Sequence, residues 1–297
     1  MIERNLMSKI KFGFLISIFL VIISGFALNL SPWELNSYTI QELRPVEEKV
    51  IFPTITPKKQ SEMDLDPGSV TLEVVWQMLA MVDMDRALVD LRRITGEEPI
   101  CLQAGCFTIT NRLTGSQGLD WAQSYLIKIL VDLGYTVEER DWASSGFADQ
   151  NIIARKAGKS LPNEEVYFVS HVDGIALGID VTPAADDNAS SVVNGLELAR
   201  ALSDYEFERT LILFFSSGEE QGYIGVDEYL EALSDEDLSK ILYVVNRDMT
   251  GYDGNGDRVM ELFHGGLSPS ILLAQYMGDL VTDYYLDLVP MPVVGCP

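Results

Sequence analysis

Six side chains able to hold a metal or move a proton, His171, Asp173, Asp187, Glu219, Glu220 and Asp248, fall within residues 165–248. All but Asp187 stand just behind an apolar run. EVYFVSHVD ends at His171 and Asp173, TLILFFSSGEEQG at Glu219 and Glu220, and ILYVVNRDMTGY at Asp248. Between the first two runs a long loop leads to PAADDNASS, which carries Asp186, Asp187 and Asn188. One imidazole among several carboxylates is the donor set of a hydrolytic zinc site. Taken singly, each signal is bland. A histidine at a strand end is usually structural, Asp-Asp-Asn before a helix usually caps it, and paired glutamates are usually solvated helix surface. The combination is not bland, because a core strand such as LILFFSSG gains nothing from two carboxylates at its exit.

The elements must bring these groups together. VYFV, LILFF and ILYVV are continuous apolar runs, the pattern of strands covered by helices on both faces. In an open α/β sheet the ligand crevice lies beyond the carboxyl ends of the strands, where these exits would converge. The loop over 172–185 is long and lacks its own periodicity, which favours a functional role. Upstream, Val75, Trp76, Leu79 and Val82, then Leu88, Leu91 and Ile94, predict two helical pieces ending at Gly96, with these stripes as core faces. Residues 112–142 read as loop, helix, turn and strand. That helix is capped by Ser116, ended by Gly134 and faces inward through Trp121, Tyr125, Ile129 and Leu133. A strand over 151–156 and a turn over 158–163 lead into the central strand. Helices are expected over 188–202, burying Val192, Val193, Leu196 and Ala199, and over 223–233. A strand over 257–264, a helix over 268–283 and a strand over 285–289 follow, with no internal repeat.

At 297 residues the chain can hold one large α/β domain and an appendage. A net charge of −24 argues against nucleic acid as a partner, since nothing would neutralise phosphates. Arg4, Lys9 and Lys11 precede a charge-free run over 12–30 that contains FLISIFLVII. Its length lies between that of a signal peptide and that of a spanning helix. The positive flank stays in the cytoplasm, so residues 31 onward lie outside. The domain is then membrane-anchored through the N-terminal helix, or secreted if the chain is cut near Gly25, Phe26 and Ala27. Residues 31–70, with five prolines among charged residues, read as an extended linker. Cys101 and Cys106 lie close together, and an exported context points to a disulfide between them, with Cys296 apart.

HVD, ADDNAS, EEQG with a nearby tyrosine, and RDMTGY, in this order and spacing, resemble the zinc exopeptidase family of bacterial leucyl aminopeptidase, glutamate carboxypeptidase and glutaminyl cyclase. The resemblance runs from Arg112 to the end and makes 71–297 the exopeptidase domain. It implies an α/β fold, a three-layer α/β/α sandwich with a mixed, mainly parallel sheet, and two zinc ions in the complete domain. Carried over by position, His171 and Asp248 bind one zinc, Asp187 bridges, and Glu220 binds the other beside a later histidine. Glu219 is the implied general base, and Asp173 orients His171. A cis peptide follows Asp187. The implied activity is removal of N-terminal residues from peptides. A glutaminyl cyclase-like single-zinc enzyme and a catalytically inactive binding ectodomain are the alternatives. Two departures stand out. Ser191 replaces the family's usual glycine, and the later histidine is missing, because the chain stops at Pro297 about where its motif is due. His264 is the one other histidine and comes at the wrong place in the order. The expectation is a domain lacking its C-terminal end and a poor peptidase as it stands.

Overall fold

The computed structural model describes residues 72–175, 181–284 and 286–295. The leader and linker expected over 1–70 lie outside them. Among the described residues no helix is long and apolar enough to cross a membrane.

Two helices come first, α1 (Leu72–Ala80) and α2 (Met84–Ile94), the second started by Asp83, whose carboxylate accepts from the amides of Asp85 and Arg86. Val75, Met78, Leu79 and Ile94 enter the core, whereas Trp76 is exposed and leans on Tyr284, so it leaves the expected core stripe. The hairpin of β1 (Ile100–Leu102) and β2 (Gly105–Phe107) places Cys101 opposite Cys106, and the two form a disulfide. Helix α3 (Gln117–Asp132) has Ser116 as its cap, and Gly134 follows it with φ +83°. Its buried stripe is Leu119, Ala122, Leu126 and Leu130, beside Tyr125. Trp121, Ile129 and Leu133 are only partly buried against that core, and Trp121 also stacks on Phe107 of the small hairpin.

The remaining elements are β3 (Thr136–Ser144), β4 (Phe147–Lys156), β5 (Leu161–His171), a π-helical turn (Ala185–Ser190), α4 (Ser191–Leu202) and β6 (Arg209–Ser216). They continue with α5 (Ile224–Glu231), α6 (Asp235–Lys240), β7 (Ile241–Asn246), β8 (Val259–His264), α7 (Ser268–Asp283) and β9 (Val289–Val294). Five strands form the central sheet in the order β3-β4-β6-β5-β7. The sheet is mixed. Strand β5 runs parallel to β6 and β7, while β4 is antiparallel to both β6 and β3.

Alternate residues of the central strands feed two cores, as continuous apolar runs require. Ile152, Ala154, Val166, Phe168, Leu211, Leu213 and Phe215 face the large core shared with α1 to α4. Ile153, Tyr167, Ile212 and Phe214 face a smaller one closed by Tyr229 of α5. Helices on both faces make three layers. Strand β9 begins four residues later than expected and, among the described residues, pairs with β8 alone, in parallel. Pro290 and Pro292 had masked it. The amides of Val289 and Gly295 donate to the carbonyls of Arg258 and His264, so the pairing side is the odd-numbered one and both prolines face away from β8.

Candidate metal centre

Strands β5, β6 and β7 run parallel and end side by side, and their exits carry the chemistry. His171 is the last residue of β5 and is 4% exposed. Its Nδ1 faces Asp173, 3.2 Å from the backbone carbonyl and 3.5 Å from Oδ1. Both the carbonyl and the carboxylate of Asp173 therefore face the Nδ1 side of the ring. The other oxygen of Asp173 accepts from the Glu220 amide and the Thr114 hydroxyl, each at 3.2 Å.

Glu219 and Glu220 leave β6 through a tight turn. Gly218 has φ +72°, and a Cβ there would stand 2.7 Å from the Trp142 ring, so only glycine lets the chain turn against that indole. Ser217 is fixed beneath by Trp142, whose indole N–H donates to its hydroxyl, and by Asn151, whose side-chain oxygen accepts its amide. The amides of Gly222 and Tyr223 donate back to the Glu219 carbonyl and close the turn.

Asp187 sits in the π-helical turn before α4, and the Asp187–Asn188 peptide is cis. Asp186 and Asn188 do not cap the helix. Asp186 Oδ1 accepts from the Gly251 amide at 2.8 Å and from the Ser190 hydroxyl at 3.1 Å. Asn188 donates to the Arg247 carbonyl at 3.1 Å and accepts from the Met249 amide at 3.3 Å, bracketing Asp248 in sequence. Ser191, the residue that departs from glycine, lies 3.2 Å from the Thr250 hydroxyl. The two loops bearing Asp187 and Asp248 are therefore laced together by side chains whose roles the sequence did not reveal.

All six expected residues meet. His171 Nε2 lies 3.1 Å from Asp187 Oδ1, 3.6 Å from Asp248 Oδ1 and 3.8 Å from Glu219 Oε2. Donor atoms of His171, Glu219 and Asp248, and of His171, Asp187 and Glu220, each gather within 4.8 Å. His264 joins neither group and instead faces the Gly265 carbonyl. The donor set fits zinc, because His171 Nε2 is buried with no hydrogen-bond partner among carboxylates that would otherwise repel one another. Burial disfavours the His171 imidazolium, but Asp173, Asp187 and Asp248 outweigh it and push the ring up to about 12. Contact with His171 holds Asp187 below its usual range. Burial, reinforced by neighbouring carboxylates, lifts Glu219 and Glu220 above theirs.

A three-layer α/β sheet with one imidazole and several carboxylates beyond its strand ends is the arrangement of a metal-dependent hydrolase. Residues 151–284 match the model of peptidase family M28. It is 27% identical over 150 residues to a probable leucine aminopeptidase 2 of Aspergillus oryzae, covering 48% of this chain and 28% of the relative. It is 30% identical over 213 residues to a probable zinc metalloprotease of Pyrenophora teres f. teres, covering 65% of this chain and 43% of the relative. The chain thus spans less than half the length of either protein. Among solved structures, the LapA aminopeptidase of Legionella pneumophila superposes with a TM-score of 0.58 at 19% identity, over 80% of this chain and 60% of that one. This likeness establishes the α/β fold.

Proposed function

We propose that the protein is a zinc-dependent aminopeptidase that hydrolyses N-terminal residues from peptides. One observation carries the reading. A buried imidazole nitrogen without a hydrogen-bond partner faces Asp187, Asp248 and Glu219 at 3.1 to 3.8 Å. His171, Asp187 and Asp248 would hold one zinc, and Asp187 with Glu220 would hold a second. When bound, zinc supplies Lewis acidity toward a scissile carbonyl and a water. The chain's own residues do the rest. Glu219, with its carboxyl lifted by burial, takes a proton from the attacking water and returns it to the leaving amine. Asp173 holds the His171 ring so that Nε2 points at the other donors. The carboxylate rim attracts the substrate's free ammonium.

The Cys101–Cys106 disulfide supports the proposal that the domain 71–297 works outside the cytoplasm, behind the linker 31–70 and the leader 1–30. The test of function is metal analysis with release of a chromogenic aminoacyl amide, for wild type and Glu219→Gln. Zinc-dependent release that falls by at least about a hundredfold in Glu219→Gln, with zinc retained, is expected. Cyclisation of an N-terminal glutamine instead of release would mark a glutaminyl cyclase. A folded protein that takes up no zinc would mark a binding domain and defeat the reading.

A further inference from the structure

Arg112 stands just before the loop that precedes α3 and is 1% exposed. A guanidinium so deep ordinarily faces a carboxylate. Here every hydrogen bond runs to a backbone carbonyl. Nε donates to Val172 at 2.8 Å, Nη1 to Ile94 at 3.0 Å and to Pro183 at 2.8 Å, and Nη2 to Ala184 at 2.8 Å. Three separate segments are gathered on one planar group: the last turn of α2, the chain just after His171, and the chain just before the π-helical turn.

The choice of carbonyls is informative. Val172 lies between His171 and Asp173, and Ala184 lies three residues before Asp187. Both ends of the loop that separates the imidazole from the expected bridging carboxylate are thus fixed to the same rigid fork. The backbone adds two more ties, with the Gly174 amide donating to the Arg112 carbonyl at 3.0 Å and the Thr182 amide to the Thr110 carbonyl at 2.8 Å. The loop ends are packed so closely that a Cβ on Gly174 would fall 2.6 Å from the Ala184 Cβ. Charge points the same way. Burial pulls the Arg112 guanidinium down to about 10, while Asp173, Asp187 and Glu220 hold it up through space. The cation and the acid cluster offset each other without touching.

We propose that Arg112 is the positioning residue of the metal centre, clamping both ends of the 172–184 loop so that His171 and Asp187 are set at their working separation before metal arrives. The inference rests on the zinc reading above, but it concerns a residue outside the donor set. Lysine cannot replace the function. It keeps a positive charge but carries a point donor where arginine carries a planar fork of five N–H groups.

The experiment is chelator competition for zinc on wild type and Arg112→Lys, with the visible spectrum of the cobalt(II)-loaded proteins as a second readout and far-ultraviolet circular dichroism as the folding control. Arg112→Lys should fold and should lose about 10–100-fold in zinc affinity, the usual cost of disturbing a partner that orients ligands. Its cobalt spectrum should shift, because the donor geometry relaxes. A merely structural arginine would lower thermal stability and leave the spectrum of the loaded protein unchanged. Wild-type affinity with an unaltered spectrum in a folded Arg112→Lys overturns the proposal. If that variant does not fold, Arg112→Gln, which keeps two donors, is measured in the same way. Failure of both to fold makes the residue a determinant of folding, which also overturns it. Wild type binding no zinc at all would sink the functional reading instead, so the two failures are distinguishable.

Discussion

Truncating Asn188 to alanine should weaken both the fold and the metal centre, by amounts that can be worked from its surroundings. The side chain is completely buried and makes two hydrogen bonds, to the Arg247 carbonyl and from the Met249 amide. Arg247 is itself buried, so its carbonyl would be left without a partner, a loss of about 1–3 kcal/mol. Met249 is exposed, so water can reach that amide, and its share is about 1 kcal/mol. The expected total is about 2–4 kcal/mol, large against a domain stability of about 5–15 kcal/mol but not enough to unfold it. Asp248 lies between the two released backbone groups, so zinc affinity should fall about 10–100-fold as well. Urea denaturation of the metal-free proteins gives the first quantity and chelator competition the second. A variant within about 0.5 kcal/mol of wild type, with unchanged zinc affinity, would refute the bracketing role.

Metal-free Glu219→Gln should melt above wild type at pH 8. Burial, then nearby Asp173, Asp248 and Asp187, raise the Glu219 carboxyl against the opposing pull of His171, so its ionised form opposes folding. That penalty is present above the folded pKa and absent below the ordinary 4.5, so the gap in melting temperature should close on acidification, and equal melting at pH 8 would refute it. Asp187→Ala should take up no zinc at concentrations that saturate wild type. Asp186→Ala, which loses only its bonds to Gly251 and Ser190, should still load zinc while costing about 1–3 kcal/mol of stability, and the reverse pattern would exchange the two roles. Without reductant, Cys101 and Cys106 should resist alkylation, and free thiols at both would contradict the disulfide.

The central strands were legible as strong local signals, whereas the candidate donor residues stood out only in combination, gathered at the strand exits. Continuous apolar runs declare doubly covered strands, and a carboxylate or imidazole at their exits has no packing reason to be there. The resemblance supplied the choice of Asp187 over Asp186; in the structure Asp187 faces His171 and Asp186 faces Gly251. What stayed hidden depends on contacts distant in sequence. Arg112 reaches carbonyls up to 72 residues away, and nothing in RLTGSQG announces it. Asn188 reads as a helix cap in the sequence and serves as a cross-link between two loops. The short helix α6 escaped because DEDLSK buries nothing and so carries no periodicity. The stripe on α3 was displaced because Trp121 sits at the edge of the main core, where it also stacks on Phe107 of the cysteine hairpin.

The two margins of the central sheet differ in a way that bears on the protein's behaviour at high concentration. Strand β3 carries Glu138, Glu139, Arg140 and Asp141, charges that discourage another chain from adding itself alongside. Among the described residues β7 pairs with β5 alone, and it presents Leu242 and Val244, 37% and 53% exposed, with no charge in ILYVVN. A short, neutral, β-branched border is a template for intermolecular strand addition. One border is guarded and the other is open. Self-association of the isolated domain should therefore run through β7, and Val244→Lys should raise the concentration at which light scattering first appears while leaving zinc binding untouched.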